Sequence, residues 1–403
     1  MSGDVDLSAQ TMKLLRLPQS KVQLGVALPW NVRDENTNLL LSKGHVVENE
    51  YQLEALLERG AFVDAEEVKA SSRPTGADAD PSKTVVAVPN LFTLWERTTA
   101  ELQKLVSNVA QSTDFSTETD QFARHIVELI DADPDICIYR MVRQENTQAF
   151  YYGYAHAVHA AALCVLLARR LNWPAEQMMS LVKAALTMNM TILDLQGQMA
   201  AQDHPMRDKQ RAAIQSHPRQ CVELLEKAGV TDAHWLAAVA QHHERSDGTG
   251  YPAGTSDINA LASALRLVDI FVSKISPRTI RPALAVPEAI RQLLRDDRAN
   301  PLATALVKEL GMYPPGEFVK LASGELGIVV KRTDSVRAPI VATITDTNGK
   351  PIARTVRQDT AQASYAIVGS ATDKAMLARL PPERLYGFST VQTPQAALDP
   401  RLG

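Results

Sequence analysis

The stretch "HHERSDGTGYP", His242 to Pro252, sets two adjacent histidines, two acids, two glycines and a Tyr-Pro pair within eleven residues. Structural filler rarely concentrates metal ligands and tight-turn residues in this way. The histidines close an apolar helical run, "HWLAAVAQ", and the loop after them carries Gly248 and Gly250, which allow close backbone approach. Adjacent imidazoles at a helix end, followed by such a loop, favour a functional site over a plain connection.

Outward from this stretch, the pattern is persistently helical from about residue 91 to residue 312. "LFTLWERTTAELQKLVSNV" repeats Leu91, Leu94, Trp95, Leu102 and Leu105 at helical spacing. Further helices are expected at Thr119–Asp131, Gly153–Leu171, Ala175–Asp194, Lys209–Ala228, Asp232–His243 and Ser256–Lys274. His156, His159, His217, His242, His243 and Asp269 all fall on or beside these helices. Helices project ligands rigidly into a bundle core, the arrangement that metal-dependent phosphodiester hydrolysis needs. Isolated helical histidines such as His125 and His234 read as surface or core residues. His156 and His159 stand one turn apart, so one ligand between them suffices.

The flanks differ in character. Residues 1–68 read as a small α+β unit, with short strands around a polar turn at Asp34 to Asn38 and a helix in "ENEYQLEALLERGAF". Residues 69–90 read as a linker, rich in Ser, Pro, Gly and Asp between Lys69 and Lys83. Residues 313–403 read as a β-rich module, with a hairpin signal at Asn348-Gly349. The expected fold is therefore multidomain and mainly α.

The 403 residues carry a formal net charge of -4, which weighs against non-specific DNA binding. Three scattered cysteines without a CxxC pair suggest a reducing, cytoplasmic setting. The most apolar run, "HAAALCVLLA", closes at Arg169 and Arg170, at about half the length that a membrane span requires.

The chain resembles HD-GYP domains over roughly residues 140–315. These are bacterial phosphodiesterases of cyclic di-GMP within the HD metal-phosphohydrolase superfamily. "HHERSDGTGYP" fits the family signature HHExxDGxGYP at every defining position. "HAVHAAALCVLLARRLNWPAEQMMSLVKAAL" is similar to the helix pair before the family's HD motif. "IQSHPRQCVELLEKAGV" resembles its HPxxG-type helix with Cys221 at the glycine position, and "LRLVDIFVS" resembles the helix bearing its last aspartate. The resemblance implies a central all-α HD-type bundle and a metal-ligand set of His156 (His159 being the alternative), His217, His242, His243 and Asp269. It also implies a substrate loop of Glu244, Asp247, Gly248, Gly250, Tyr251 and Pro252, with Arg278 and Arg281 as candidate phosphate contacts. The implied cofactor is a divalent metal such as Fe or Mn. Implied partners are cyclic di-GMP or a related nucleotide, other signalling proteins such as diguanylate cyclase domains, and a second copy in a homodimer.

The eponymous His-Asp pair is missing. "KAALTMNMTILDL" puts Met188 at the histidine position and Asn189 at the aspartate position, with Thr191 and Ile192 where Gly-Lys would stand. The apolar series Met178, Leu181, Val182, Ala185, Leu186 turns Asn189 to the buried face. A neutral amide bridges two dications poorly, and a thioether is too soft for Fe, Mn or Mg. The expectation is a broken two-metal centre retaining one ion, held by His217, His242 and His243, or none. Three functions stay open. The altered pair favours a binding or regulatory protein of cyclic di-GMP signalling with weak or no hydrolysis over an active phosphodiesterase. The intact loop favours either over a non-catalytic scaffold.

Overall fold

The computed structural model describes residues 91–144, 149–296, 300–371 and 382–386, with scattered residues between 14 and 64. Two compact units divide the chain: Met1–Val88 with Tyr386–Gly403, and Pro89–Leu385. In the first unit, β1 (Leu14–Arg16), β2 (Val32–Arg33), β3 (Leu39–Leu41) and β4 (Phe62–Asp64) form an antiparallel sheet ordered β1-β4-β2-β3. Strands β2 and β3 pair; of the polar turn expected at Asp34 to Asn38 between them, all but Glu35 falls outside the described residues. Leu17, Leu28, Trp30, Val32 and Val63 form a core in this unit. The helix expected after Glu48 and the linker fall outside the described residues.

The second unit opens with eleven helices among its described residues. They are α1 (Leu91–Ser107), α2 (Phe115–Ala132), α3 (Pro134–Arg143), α4 (Tyr152–Arg170), α5 (Ala175–Thr187), α6 (Leu193–Ala201), α7 (Asp208–Lys227), α8 (Ala233–Gln241), α9 (Ala260–Ile275), α10 (Val286–Asp296) and α11 (Pro301–Leu310). Helix α4 is the hub. Fourteen of its residues are buried, which explains why its sequence is apolar on every side. The segment Ala149–Arg170 is long and apolar enough to cross a membrane by length and composition, but 72% of its apolar window is buried inside the fold. Neighbouring helices on all sides account for that composition.

One expected helix divides in two. The reading of Ala175–Asp194 as continuous is corrected: α5 stops at Thr187, and α6 starts at Leu193. The last α-type bond runs from the Met188 amide to the Ala184 carbonyl, and Met190 and Ile192 then donate to Thr187 and Asn189 in tighter turns. Asn and Thr are weak helix formers, which permits the break. Asn189 is nonetheless buried, by the turn rather than by helical phase. Helices α3, α10 and α11 lie within the persistently helical stretch but outside the helices expected one by one, although α10 buries Val286, Ala289, Ile290 and Leu293 at helical spacing.

After α11 the chain forms an antiparallel sheet of β5 (Phe318–Leu321), β6 (Leu326–Lys331), β7 (Ile340–Thr345), β8 (Pro351–Asp359) and β9 (Ile367–Ser370), ordered β8-β7-β6-β5-β9. Val319, Leu321, Val329 and Val341 form its core. The β7–β8 hairpin turns at Asn348-Gly349, where Gly349 has φ +79° and Asp346 Oδ1 accepts from the Asn348 and Lys350 amides. Arg332, just past β6, fastens the sheet to the bundle through Asp135 (Nε to Oδ1, 2.5 Å) and Glu309 (Nη1 to Oε1, 2.5 Å).

Candidate metal centre

Two helices deliver three imidazoles to one point. Helix α7 carries His217 in its middle, and α8 ends at its C-cap residue His242, with His243 next in the chain. One ring nitrogen from each of these three histidines lies within 4.8 Å of the others, a grouping able to hold a metal ion. His217 and His242 are fully buried and His243 is half-buried. Each of the two buried rings is oriented from behind: Nδ1 of His217 lies 2.6 Å from the Ile214 carbonyl and Nδ1 of His242 lies 2.7 Å from the Val239 carbonyl. A carbonyl can only accept, so each Nδ1 carries the proton. That leaves the two Nε2 lone pairs facing each other 3.1 Å apart.

This donor set fits a cation. Burial, together with the neighbouring His242, pushes His217 down to about 3. Burial likewise lowers His242 and His243. All three rings are then neutral, the state in which imidazole ligates. Two nitrogens of a tetrahedral site with metal–nitrogen distances of ~2.0–2.1 Å stand ~3.3 Å apart, close to the observed separation.

A second pair lies alongside. His156 on α4 meets Asp269 on α9, with Nε2 2.7 Å from Oδ1. Burial pushes the Asp269 carboxyl upward, but the hydrogen bond from His156 and the nearby His156, His243 and His242 rings outweigh it and hold it far below the usual carboxylate range. The Nδ1 of His156 is buried with no hydrogen-bond partner among the described residues. His159, the alternative one turn on, lines a different cavity with Trp95 and Arg140.

The turn between α5 and α6 reaches α7 beside the trio through Thr191. Met188 and Asn189 are 0% and 3% exposed. Thr191 Oγ1 lies 3.2 Å from Cys221 Sγ, one turn beyond His217 on α7. Behind the turn, α5 is latched to α8: the Trp235 indole donates to Thr187 Oγ1 (2.8 Å), and Asp232 accepts from Ser180 (2.7 Å) and pairs with Lys183 (3.1 Å). Spacing along the chain gave no sign of this latch, because its partners lie about fifty residues apart.

The signature loop splits into braces and a face. Glu244 is 1% exposed; its Oε1 accepts from the Ala253 (2.6 Å) and Gly254 (3.2 Å) amides, while its Oε2 is buried with no hydrogen-bond partner among the described residues. Asp247 is exposed and bonds Arg245 and Thr249, which hold its carboxyl well below the usual range. Gly248 adopts φ +71°. A Cβ on Gly250 would come within 2.6 Å of the backbone of His243, Glu244 and Arg245, so only glycine fits there. The loop thereby lays Tyr251 flat on His243, ring centroids 4.5 Å apart, with Pro252 following through a cis bond. Gln241 fixes the far end by accepting from the Asn259 amide at 2.8 Å.

Arg278 and Arg281 sit together past α9, joined by an Arg278–Arg281 backbone bridge. Arg278 donates to Tyr152 (3.0 Å), whose ring stacks on His156. Arg281 donates to the Ser273 carbonyl and keeps a buried Nε with no partner among the described residues.

Residues 136–300 match the HD domain family. This segment is an HD domain. Within it, 185 residues are 29% identical to the cyclic di-GMP phosphodiesterase PA4108 of Pseudomonas aeruginosa, a match covering 45% of each chain. Another 25% identity over 175 residues links it to the 3'3'-cGAMP-specific phosphodiesterase 3 of Vibrio cholerae, covering 42% of this chain and 38% of that protein. The chain thus matches less than half the length of these curated relatives. Among solved structures it is similar to Bd1817, a HDG"Y"P protein from Bdellovibrio bacteriovorus, with a TM-score of 0.47 and 17% identity over 73% of this chain and 98% of that one. The loop of this HD domain carries the HD-GYP signature in full.

Proposed function

We propose that the HD domain is a metal-holding, cyclic-dinucleotide-binding module that regulates more than it hydrolyses. The observation that carries this reading is the complete three-imidazole cluster, together with a buried Met188-Asn189 turn that supplies neither imidazole nor carboxylate. His217, His242 and His243 would hold one divalent ion, which when bound supplies a Lewis acid for a phosphate oxygen. His156 and Asp269, bonded to each other, are what remains for a second ion, and Asn189 offers no charge with which to bridge the two. Without that second ion, the attacking and leaving oxygens of a phosphodiester are not both stabilised. Glu244 and Gly250 hold the loop, Tyr251 presents its ring over His243, and Arg278 and Arg281 would receive a phosphate. Cyclic di-GMP or a related dinucleotide is the ligand that the names of the relatives suggest.

The test combines metal content with turnover. Purified protein loaded with Mn or Fe(II) is expected to hold about one ion per chain and to bind cyclic di-GMP with little linear product. Rapid hydrolysis that disappears in His242→Ala would overturn the reading. Met188→His together with Asn189→Asp is expected to raise the metal content above that of the native chain.

A further inference from the structure

Helix α4 and the chain leaving α9 are joined at two neighbouring points. His156 on α4 meets Asp269 on α9, with Nε2 2.7 Å from Oδ1. One turn earlier on α4, Tyr152 meets Arg278, which follows the end of α9. The Tyr152 hydroxyl accepts from Arg278 Nε at 3.0 Å, and Arg278 Cζ lies 5.5 Å from the centroid of the Tyr152 ring. A phenol is suited to both contacts, because it offers an oxygen to a donor and a π face to a cation. The two joints also touch each other. The Tyr152 and His156 rings stack with centroids 6.4 Å apart and planes 20° apart.

Arg278 needs such a restraint. Its backbone bridge to Arg281 brings two like charges together, and Arg278, after burial, lowers the Arg281 guanidinium from its ordinary value. Ser273 receives both arginines, Arg278 Nη2 on its Oγ at 3.0 Å and Arg281 on its carbonyl. No carboxylate pairs with either arginine among the described residues. Two guanidiniums without an acid between them repel, and a long flexible stem lets an unrestrained one turn into water. The bonds to Tyr152 and Ser273 use two of the five N–H groups of the Arg278 guanidinium and leave three for a ligand. We infer that Tyr152 is the positioning residue of the phosphate site, holding the Arg278 guanidinium in register with the His156–Asp269 pair. It acts through Arg278 and deepens the proposed function, resting on the reading of Arg278 as a phosphate contact. A phosphate received by Arg278 is thereby set at a fixed reach from a candidate metal ligand, because one aromatic ring touches both residues.

A double-mutant cycle on the full chain tests the assignment, with Tyr152→Phe, Arg278→Gln and the two combined. Each protein is titrated calorimetrically with cyclic di-GMP after Mn loading, and with inorganic phosphate in the presence of a chelator. The chelator keeps a bound ion from adding phosphate affinity of its own. Tyr152→Phe keeps the ring on His156 and beneath Arg278 and loses only the hydroxyl, so Tm is expected to stay nearly unchanged. Affinity for both ligands is expected to fall about five- to tenfold in Tyr152→Phe and at least as far in Arg278→Gln. The double variant is expected to bind no more weakly than Arg278→Gln, because Tyr152 works through that guanidinium. A merely structural role would instead lower Tm and multiply with the loss in Arg278→Gln. Native-level binding by Tyr152→Phe, or losses that multiply in the double variant, would overturn the assignment; cyclic di-GMP binding by the native chain would still uphold the dinucleotide reading. The expected pattern with phosphate, without any binding of cyclic di-GMP, would sink the dinucleotide reading and sustain the role of Tyr152. No saturable binding of either ligand by the native chain would overturn both.

Discussion

At Gly250 the backbone of three preceding residues fills the space that a side chain would need, with contacts down to 2.5 Å from backbone atoms. Backbone cannot swing aside as a flexible side chain can. Gly250→Ala is therefore expected to cost about 1–3 kcal/mol and to lift Tyr251 from His243, seen as a lower Tm and reduced metal retention. Glu244 works from the other side of the same loop. Glu244→Ala strands the Ala253 and Gly254 amides and is expected to cost about 2 kcal/mol, readable by urea denaturation. If Glu244 instead served only a ligand, that variant would lose binding at unchanged stability. The motif made the importance of both residues legible, but not their division of labour. A signature lists residue types, while burial and hydrogen bonds decide which of them faces inward.

The latch between α5 and α8 fixes the end of α5 that leads into the Met188-Asn189 turn. Thr187→Val keeps the shape and leaves the Trp235 indole without its acceptor, a loss of about 1–2 kcal/mol in denaturant unfolding. Asp232 caps α8 through the Trp235 amide (3.0 Å). Burial pushes the Asp232 carboxyl up, but hydrogen bonds from Trp235, Ser180 and Lys183 outweigh it and leave it lowered. A carboxyl depressed in the fold stabilises it above the unfolded value of about 3.9, and that stability is lost as pH falls through the folded value. The stability gap between the native chain and Asp232→Asn is thus expected to be constant near neutrality and to close below about pH 4. A gap that widens on acidification would contradict the assignment. Helix periodicity placed α4, α7, α8 and α9 well because each hides one apolar stripe or more. It missed the break after Thr187, since the flanking residues remain apolar and the pattern runs on through a turn.

Over the second unit as a whole, Arg332 is the tie between sheet and bundle. Its partners Asp135 and Glu309 have side chains only 12% and 13% exposed. Arg332→Leu leaves two acids in a poorly hydrated place and is expected to cost about 3–5 kcal/mol, with limited proteolysis releasing the residues after 312. A cation bound only by the folded histidine cluster stabilises the whole unit by mass action, about 2.7 kcal/mol at a hundredfold excess over Kd. Addition of Mn or Zn is expected to raise Tm in the native chain and to leave His217→Ala unmoved.

By itself, the sequence determined the mainly helical class, the β-rich end and the identity of the loop. Each of these is written locally, in spacing, turn chemistry or residue type. Only the tertiary structure decided that His217 points its Nε2 at His242, that His156 meets Asp269, that Glu244 accepts from the Ala253 and Gly254 amides, and that Trp95, Arg143 and His159 line one cavity. Those facts depend on where helices separated by tens of residues come to rest against one another. Packing of complete helices, not any local pattern, fixes that arrangement.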